Sequence, residues 1–365
     1  MDSSTAAASS DFKSSSVIEI AGRAIGPGYP PYIIAELSAC HNGQLKNALK
    51  LIELAKLAGA DAVKIQTYRP DTITMYSKRE EFKINGGLWD GQYLYQLYES
   101  AYTPWEWHLD LFDKAAKVGI TLFSSPFDST AVDLLESLNT PAYKIASFEL
   151  VDLPLIARVA QTGKPILMSN GMASLHEIDE AIECARSNGA SEIALLHCVS
   201  GYPAPSKDYN LMTIPDLAAH TGLPIGLSDH SIGNITSICA VSLGACLIEK
   251  HFTLDRNAGG PDDSFAIEPE ELSDLCKEAR SANDAIGSVH YGPVESESSN
   301  LLFRRSLFVT RDIKAGEKLT NENVRSIRPG NGLPPKHLPE VLGRRAAREL
   351  SAGTPLEWDA LSPIS

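Results

Sequence analysis

Short apolar runs recur along this chain, and segments with helical periodicity lie between most of them. Most runs are nearly continuous in apolar character at their start, as expected for strands that are covered on both faces. Strands that alternate with helices indicate parallel pairing through right-handed crossovers. The eight runs cover residues 31–37, 61–67, 120–126, 142–147, 165–170, 193–200, 224–230 and 246–253. Eight such units over about 250 residues favour a (β/α)8 TIM barrel over an open sheet.

The segments between the runs carry the usual marks of helix starts and stops. Apolar residues in the stretch 45–55 repeat at three- and four-residue steps, and Gly59 offers a stop. Ser174 and Glu177 have the spacing of a capping box ahead of an apolar stripe, and Gly189 ends that stripe. These patterns predict amphipathic helices that pack on the outside of the barrel.

The chain divides by composition into four parts. Residues 1–29 open with a Ser- and Ala-rich stretch that lacks the apolar core and the arginines of a targeting peptide, so we predict a disordered tail and lead-in. Residues 30–287 carry the barrel pattern, and residues 288–301 have the Gly, Pro, Ser and Glu content of a linker. Short alternating segments between Gly/Pro turns in residues 302–365 predict a small, mostly β domain.

Composition then narrows the classes of function. A hydrophobic content of 43% argues for a folded globular protein. The net charge of −14 argues against nucleic acid or an anionic membrane as partner, while a small anionic substrate stays open. No apolar run approaches eighteen residues, so no membrane span is predicted. The six cysteines lack CxxC spacing, which predicts reduced, mostly buried thiols in a cytoplasmic enzyme.

Polar and charged side chains gather at the C-terminal ends of the predicted strands, which form the functional face of such a barrel. A barrel that needed only stability would not require carboxylates, lysines and imidazoles there, so their convergence predicts an enzyme. In chain order these residues are Glu36, Lys64, Gln66, Ser124, Ser125, Lys144, Ser147, Glu149, Ser169, Asn170, Ser200, Tyr202, Ser228, Asp229, His230, Glu249, Lys250 and His251.

Two histidines, His230 and His251, stand at the ends of successive predicted strands. Neutral imidazole nitrogens are common ligands of divalent metals, and Glu36 and Asp262 supply nearby carboxylates. Two imidazoles with open coordination positions suit Mn²⁺ or Mg²⁺-like ions that also bind substrate oxygens. The alternative is that each histidine caps its strand by bonding to the backbone. His197 lies earlier in its run and is predicted to be a core residue.

Lys64 and Lys144 lie within strands, between apolar neighbours, and three interpretations stay open. Their side chains could snorkel to the barrel rim, or one amine could form a Schiff base, as in some aldolases. The third interpretation is a cationic cradle for a phosphate and a carboxylate. Hydroxyl groups that would complete this cradle are at Ser147, Ser169, Ser200 and Ser228. No serine has a GxSxG context, so a nucleophilic serine is not expected.

With these residues assembled, the chain resembles the sialic acid synthase family, whose members condense phosphoenolpyruvate with an amino sugar. The resemblance runs from about residue 30 to the C-terminus and depends on no single motif. The matching stretches are IIAELSACHNG (33–43), GADAVKIQTYRPDTIT (59–74), PAYKIASFE (141–149), MSNGMA (168–173), SGYP (200–203), GLSDHS (226–231), IEKHFTLDR (248–256), GGPDDSF (259–265) and RSIRPGNGLPPK (325–336).

Position by position, the resemblance implies roles for residues of this chain. The two metal-binding histidines of the family fall on His230 and His251, and the implied cation is Mn²⁺, with Mg²⁺ or Co²⁺ as alternatives. The acidic candidates for proton transfer fall on Glu36, Glu149 and Asp262. The substrate-contacting positions fall on Lys64, Gln66, Lys144, Ser147, Ser169, Asn170, Ser200, Tyr202, Ser228 and Arg328.

The resemblance also implies an assembly and a substrate. Residues 302–361 match an antifreeze-like domain of the β-clip type, which in such synthases covers the barrel mouth of a partner in a swapped homodimer. The aromatic stretch 84–108 resembles the branch that converts an open-chain 2,4-diacetamido-2,4,6-trideoxyhexose to pseudaminic acid, since methyl groups pack on rings. Sialic or legionaminic acid synthesis from an N-acetylmannosamine-type sugar is the alternative. A Schiff-base aldolase and a non-catalytic binding protein are more distant rivals.

Overall fold

The computed structural model describes residues 17–363, so the Ser- and Ala-rich segment 1–16, predicted to be disordered, lies outside the described residues. The chain forms two compact units that divide between Gly287 and Ser288. Each unit buries its own hydrophobic cluster. Within residues 17–363, no helix combines the length and the apolar character needed to cross a membrane.

Eight parallel strands close into a barrel in the first unit, which confirms the predicted (β/α)8 fold. Each strand pairs with the next along the chain, and the last pairs with the first. Every predicted apolar run contains one of them. After two hairpin strands, β1 (Ile18–Ile20) and β2 (Arg23–Ile25), the barrel strands are β3 (Tyr32–Glu36), β4 (Ala62–Thr67), β5 (Thr121–Pro126), β6 (Tyr143–Ile145), β7 (Ile166–Ser169), β8 (Ile193–Cys198), β9 (Ile225–Asp229) and β10 (Leu247–His251).

Helices follow the barrel strands, and their ends match the sequence patterns. The first ends at Gly59, whose φ of 94° lies in the left-handed region. The predicted capping box of Ser174 and Glu177 is present. The helices of the first unit are α1 (Leu45–Ala58), α2 (Pro70–Ile73), α3 (Leu94–Ala101), α4 (His108–Val118), α5 (Ser129–Ser137), α6 (Leu153–Ala160), α7 (Leu175–Ser187), α8 (Thr213–Thr221), α9 (Ile235–Ser242) and α10 (Pro269–Ile286). Short 3₁₀ turns lie at Glu80–Phe82, Trp105–Trp107, Ser147–Glu149, Ser206–Asp208 and Asp263–Phe265.

The inside of the barrel is layered, because successive residues of a strand point to opposite faces. The layer nearest the N-terminal ends is apolar and includes Ile34 and Leu247. Two residues further along the same strands, the buried positions carry Glu36 and Glu249, and His251 follows on β10. The fold therefore stacks a charged layer on an apolar floor, at the end of the barrel where the strands finish.

The N-terminal hairpin corrects one prediction. Residues 18–25 were placed in the disordered tail and lead-in, but β1 and β2 pair as antiparallel strands. Ile18, Ile20 and Ile25 are buried in the apolar floor of the barrel. The alternating pattern of IEI and RAI around an Ala-Gly turn is the mark of a hairpin, and it was missed because each strand has only three residues.

An ion-pair network ties this N-terminal end together. The carboxylate of Asp61 pairs with Arg23 from the hairpin and with Arg280 from α10, the latter at 3.3 Å. Its second oxygen accepts a hydrogen bond of 2.8 Å from the backbone N–H of Ile33. Asp61 therefore links the hairpin, the first barrel strand and the last helix, at the opposite end of the strands from the charged layer.

The second unit is a small, irregular β domain, as predicted. Its two strands, β11 (Ser306–Val309) and β12 (Val324–Ile327), pair as antiparallel neighbours. The remaining elements are helix α11 (Leu338–Val341) and 3₁₀ turns at Glu295–Phe303, Pro335–His337 and Trp358–Ala360. The stretch 288–301, predicted to be a plain linker, therefore contains part of a 3₁₀ segment, although its residues are exposed.

Candidate active site

Two lysines and two glutamates meet at the centre of the charged layer. Lys64 Nζ lies 3.0 Å from Glu36 Oε2 and 2.9 Å from Glu249 Oε1. Lys144 Nζ lies 3.4 Å from the Glu249 carboxylate, and Ser228 pairs with Glu249 in the strand register. All four charged side chains are at most 3% exposed. Such burial excludes the interpretation that the two lysines snorkel to the rim.

The sequence placed Glu249 at a strand end but gave it no role in the site. Burial opposes its charge, but the ammonium groups of Lys144 and Lys64 bring the pKa of Glu249 down to about 2. The carboxylate is therefore ionised and holds the two lysines close together. The alternation of β10 carried the signal, because Leu247, Glu249 and His251 share one face of the strand.

Three further carboxyl groups surround this centre. Burial raises the pKa of Glu36 to about 7 and that of Glu149 to about 7. Gln66 Nε2 donates to Glu36 Oε1 at 3.3 Å. Burial also raises the pKa of Asp262, whose Oδ2 accepts a 2.5 Å hydrogen bond from the hydroxyl of Ser38. Glu36 and Glu149, whose pKa values lie near neutrality, are suited to general acid–base catalysis.

The two histidines lie side by side at the mouth, with their ring centroids 5.4 Å apart. His230 Nδ1 lies 2.9 Å from the carbonyl oxygen of Val199, to which it can only donate, so Nε2 keeps its lone pair. His251 Nδ1 is buried and has no hydrogen-bond partner among the described residues. Burial and the neighbouring His230 lower the pKa of His251 well below its usual value. Against the effect of burial, the neighbouring Cys198 raises the pKa of His230. A divalent cation would bind the unprotonated form of both rings, through Nε2 of His230 and Nδ1 of His251.

The strand-capping alternative explains only part of this geometry. Nδ1 of His230 has a backbone hydrogen-bond partner, as the capping alternative requires. That alternative gives no partner to Nε2 of His230 or to Nδ1 of His251. Asp262 Oδ2 lies 3.9 Å from His251 Nδ1, beyond a normal hydrogen bond. Within residues 17–363, no three His, Cys, Asp or Glu side chains group to hold a metal by themselves. A cation held by the two imidazoles would therefore complete its coordination with substrate or water oxygens.

A polar cradle lies beside Lys144. The N–H of Gly171 donates to Ser147 Oγ at 3.1 Å, and a Cβ atom at Gly171 would clash with the hydroxyls of Ser147 and Ser200. Ser169 Oγ and Asn170 Oδ1 are buried and have no hydrogen-bond partner within the described part of the chain. Buried polar atoms are normally paired, so these groups are suited to hold a bound ligand.

Aromatic rings cover the histidine pair. The ring of Tyr202 lies 4.4 Å from that of His230, and Phe265 packs 5.4 Å from Tyr202. Trp89 lies 5.6 Å from Tyr202, and its Nε1 donates to the carbonyl of Pro261 at 3.1 Å. Trp89 comes from the aromatic stretch 84–108, which also contains α3. We call Trp89, Tyr202 and Phe265 the aromatic roof.

The barrel residues to which the resemblance assigned site roles lie at the C-terminal end of the strands, as predicted. Three other strand-end residues are exceptions: Asp229 and Lys250 pair with each other in the barrel wall, and Ser124 bonds to Thr67.

Arg328 belongs to the second unit, where it is exposed and precedes a cis peptide bond to Pro329. His197 is a core residue, as predicted, with its Nε2 at 2.5 Å from the carbonyl of Tyr209. The six cysteines are all free, and Cys239 is the exposed one.

Family models match both units of the chain. Residues 51–291 match the NeuB family, and residues 304–362 match the SAF domain. The first match covers most of the barrel and its charged layer. The second covers β11, β12 and the irregular segments that follow them.

Characterised relatives and a solved structure show the same likeness. The chain is 45% identical over 332 residues to the pseudaminic acid synthase of Helicobacter pylori. These aligned residues cover 90% of this chain and 97% of that protein. It is 39% identical over 320 residues to the N,N'-diacetyllegionaminic acid synthase of Campylobacter jejuni, covering 87% and 96% of the two chains. The crystal structure of N-acetylneuraminic acid synthetase from Leptospira borgpetersenii, in complex with citrate, matches with a TM-score of 0.70 at 32% identity, over 79% of this chain and 95% of that one.

Proposed function

Because this chain belongs to the NeuB family of sialic acid synthases and carries a SAF domain, we propose that it makes pseudaminic acid. The family consists of enzymes that form a carbon–carbon bond between phosphoenolpyruvate and a sugar. The proposed sugar is an open-chain 2,4-diacetamido-2,4,6-trideoxyhexose. The observation that carries the proposal is the buried pair Lys64 and Lys144, joined by Glu249 and placed beside two neighbouring imidazoles.

Phosphoenolpyruvate is proposed to bind at Lys144 and its cradle. Lys144 has one carboxylate neighbour at 3.4 Å, whereas Lys64 has two at about 3 Å, so Lys144 keeps more capacity for an anionic ligand. The unpaired Ser169 and Asn170 oxygens and the hydroxyls near Gly171 complete the set of polar contacts. These groups would hold C3 of the enol against the sugar aldehyde, which converts a bimolecular encounter into a positioned one.

His230 and His251 are proposed to hold a divalent cation, with Mn²⁺ as our choice. When bound, the cation would supply Lewis acidity to the aldehyde oxygen of the sugar. The low pKa of His251 supports this role, because only a neutral imidazole binds a metal. Asp262 accepts a hydrogen bond from Ser38, and its carboxylate faces His251. Asp262 is proposed to orient the ring of His251.

The proposed bond changes balance with one water molecule. C3 of phosphoenolpyruvate attacks the aldehyde carbon, water adds to C2, and the C–O bond to phosphate breaks. The attacking water gives one proton to the aldehyde oxygen and, as the tetrahedral intermediate at C2 collapses to the ketone, its second proton to the departing phosphate. Glu36 and Glu149 are proposed to move these protons, since the pKa of each is raised to about 7. The Schiff-base alternative needs a neutral amine. The carboxylates beside Lys64 oppose it there, since they raise the pKa of Lys64 despite burial. Burial lowers the pKa of Lys144, so a Schiff base would have to form at Lys144, where borohydride trapping would detect it.

Selectivity for the sugar is proposed to come from the aromatic roof. The C6 methyl group and the two acetamido methyl groups of the proposed substrate are apolar, and rings offer them apolar contact area. Trp89 is fixed at its place by its hydrogen bond to Pro261 and its packing on Tyr202. N-Acetylmannosamine has a hydroxyl at C4 and at C6, so it would gain less from this surface.

A sugar panel tests the proposal. With phosphoenolpyruvate and Mn²⁺, we expect the trideoxy diacetamido sugar to give phosphate and a nonulosonic acid with a kcat/KM at least about tenfold above that of N-acetylmannosamine. The Trp89→Ala variant should lose about tenfold in kcat/KM for the first sugar, since a ring contact contributes about 1 kcal/mol or more. The kcat/KM of this variant for N-acetylmannosamine should change little. Released phosphate and product mass are the measurements.

The matched control is Tyr76→Ala, which removes an exposed aromatic ring that packs on Tyr95 rather than on the aromatic roof. Its ratio of kcat/KM values for the two sugars should equal that of the wild type. Equal losses with both sugars in Trp89→Ala would reject the role of the roof. The function would be rejected if phosphate were released without added sugar. It would also be rejected if none of the sugars in the panel led to phosphate release.

We also propose that the enzyme is a swapped homodimer in which the SAF domain of one subunit covers the barrel mouth of the other. Exposed apolar side chains on the segments that follow β6–β9 support a covered mouth. Charge supports it too, since residues 302–365 carry 11 Lys and Arg against 7 Asp and Glu, while residues 1–301 are strongly acidic. The apolar residues are Phe148, Val151, Met172, Leu175, Met212, Ile232 and Ile235.

A further inference from the structure

A buried ion pair stands one residue before each of the two histidines. Asp229 and Lys250 face each other directly in the register of β9 and β10, and Lys250 Nζ lies 2.9 Å from Asp229 Oδ2. Each residue is 1% exposed. Because Glu249 points into the barrel, its neighbour Lys250 points to the outer side of the wall. Neither residue has a part in the chemistry proposed above.

The pair holds the backbone on both sides of Ser231, the residue that follows His230. Asp229 Oδ1 accepts a 2.8 Å hydrogen bond from the Ser231 N–H, and Lys250 Nζ donates to the Ser231 carbonyl at 2.7 Å. Ser237 Oγ, from α9, donates to Asp229 Oδ2 at 2.6 Å. His230 therefore lies between two residues whose positions are fixed by a single ion pair.

The same pair joins the two strands that carry the histidines. Lys250 precedes His251 on β10, and its ammonium group reaches across to Asp229 at the end of β9. The distance between the two rings therefore depends on a contact that lies directly behind them. A shift of either strand end along its axis would break the contact with Ser231 as well as the ion pair.

Stability alone does not account for a charged pair at this place. Burying two charges costs desolvation free energy, and well-packed apolar residues of similar size often stabilise a fold equally well. The outward positions just before the pair, Leu227 and Ile248, are indeed apolar and lie in the main hydrophobic cluster. Apolar residues could not form directed hydrogen bonds to the backbone of Ser231. The ion pair forms two of them and so fixes the position of that backbone.

We propose that Asp229 and Lys250 are positioning residues that set the separation and orientation of the His230 and His251 rings for a divalent cation. The inference rests on the metal role proposed for the two histidines and extends it to groups that do not touch the cation. Outer groups that orient metal ligands commonly contribute tenfold or more to metal affinity.

Mn²⁺ binding to the full-length, metal-free protein tests this inference without any substrate. Free Mn²⁺ is followed by its electron paramagnetic resonance signal during a titration, and the thermal unfolding midpoint is measured in parallel. The main variant is the double substitution Asp229→Leu with Lys250→Met, which replaces the pair by apolar side chains and so keeps the wall packed. Its Kd for Mn²⁺ should rise by at least about tenfold.

A milder variant, Ser237→Ala, removes one hydrogen bond to Asp229 and leaves the ion pair in place. Its Kd for Mn²⁺ should rise by about threefold, the effect of one modest hydrogen bond. This second variant keeps the test decisive if the double variant is poorly folded. An unchanged Kd in Ser237→Ala together with a misfolded double variant would count against the inference.

The matched control is Asp61→Asn, which breaks the ion-pair network at the opposite end of the strands. It should lower the unfolding midpoint but leave the Kd for Mn²⁺ within about twofold of the wild type. An equal loss of affinity in this control would show that general destabilisation explains the effect, and would overturn the inference. A folded double variant with wild-type affinity would overturn it while leaving the metal role intact. A wild-type protein that bound no Mn²⁺ would overturn both.

Discussion

The His251→Ala variant is expected to lose about a thousandfold in kcat and most of its affinity for Mn²⁺. Lewis-acid activation of a carbonyl contributes several kcal/mol to the transition state, and about 4 kcal/mol corresponds to a thousandfold in rate. The structure supplies one other imidazole, His230, and no group of three His, Cys, Asp or Glu ligands within the described residues. Loss of one imidazole would therefore remove half of the proposed ligand set of the protein. Steady-state kinetics and an Mn²⁺ titration measure the two effects.

The control for this variant is His108→Ala. His108 is also buried, but both of its ring nitrogens have hydrogen-bond partners in the protein: Nε2 lies 2.8 Å from the Thr67 hydroxyl and Nδ1 lies 3.2 Å from the Pro104 carbonyl oxygen. We expect it to lose stability and to keep the Mn²⁺ affinity of the wild type. Added imidazole should restore part of the activity of His251→Ala by entering the space of the missing ring. Normal metal-dependent turnover in His251→Ala would show that the ligand assignment is wrong.

Mixed dimers are expected to recover activity that neither of two inactive variants has alone. Arg328→Ala should lose about a hundredfold in kcat/KM through weaker sugar binding, because a charge-assisted contact at a closed site contributes about 3 kcal/mol. If Arg328 reaches the barrel of the partner, a dimer of Arg328→Ala with His251→Ala contains one complete site. Heterodimers isolated through two different tags should then show about half of the wild-type activity, since one of the two sites is intact.

Homodimers of each variant, purified in the same way, are the controls for this experiment. At sugar concentrations below KM, each should show about 1% of the wild-type activity or less, and sedimentation velocity should show a dimer for every sample. Inactive heterodimers would indicate that Arg328 serves the barrel of its own chain. A monomeric wild-type protein with full activity would reject the covered-mouth assembly altogether.

The sequence was a good guide to the fold because the (β/α)8 pattern is local. Most barrel strands lie in runs that start with nearly continuous apolar residues, and helix ends are marked by Gly59 and by the Ser174–Glu177 box. The hairpin at residues 18–25 was missed, since its burial depends on the barrel floor it packs into. The 3₁₀ segment at Glu295–Phe303 was missed because its composition is that of a linker.

The candidate site could be predicted as a set of residues but not as a geometry. Reading the strand ends placed Lys64, Lys144 and the two histidines at one face, and the fold brings them together. Glu249 needed the inward register of β10, which only the closed barrel fixes. Trp89 could not be assigned to the roof, because its partner Tyr202 lies more than a hundred residues away in the chain.

Electrostatic roles were the least accessible from sequence. The order of Glu36, Glu149 and Asp262 as acids or bases depends on how deeply each is buried and on which groups touch it. The raised pKa of Glu36 and Glu149, about 7 in both, arises from desolvation that no local pattern encodes. The ionised state of Glu249 likewise depends on two lysines from other strands.

The fate of the bridging oxygen of phosphoenolpyruvate tests the central claim most directly. Phosphoenolpyruvate labelled with ¹⁸O between carbon and phosphorus is incubated with the Mn²⁺-loaded enzyme and the trideoxy diacetamido sugar, and both products are analysed by mass spectrometry. The account predicts that the label leaves entirely with phosphate, while the new oxygen at C2 of the sugar acid comes from water. A label retained in the sugar acid, or no sugar-dependent release of phosphate, would contradict it.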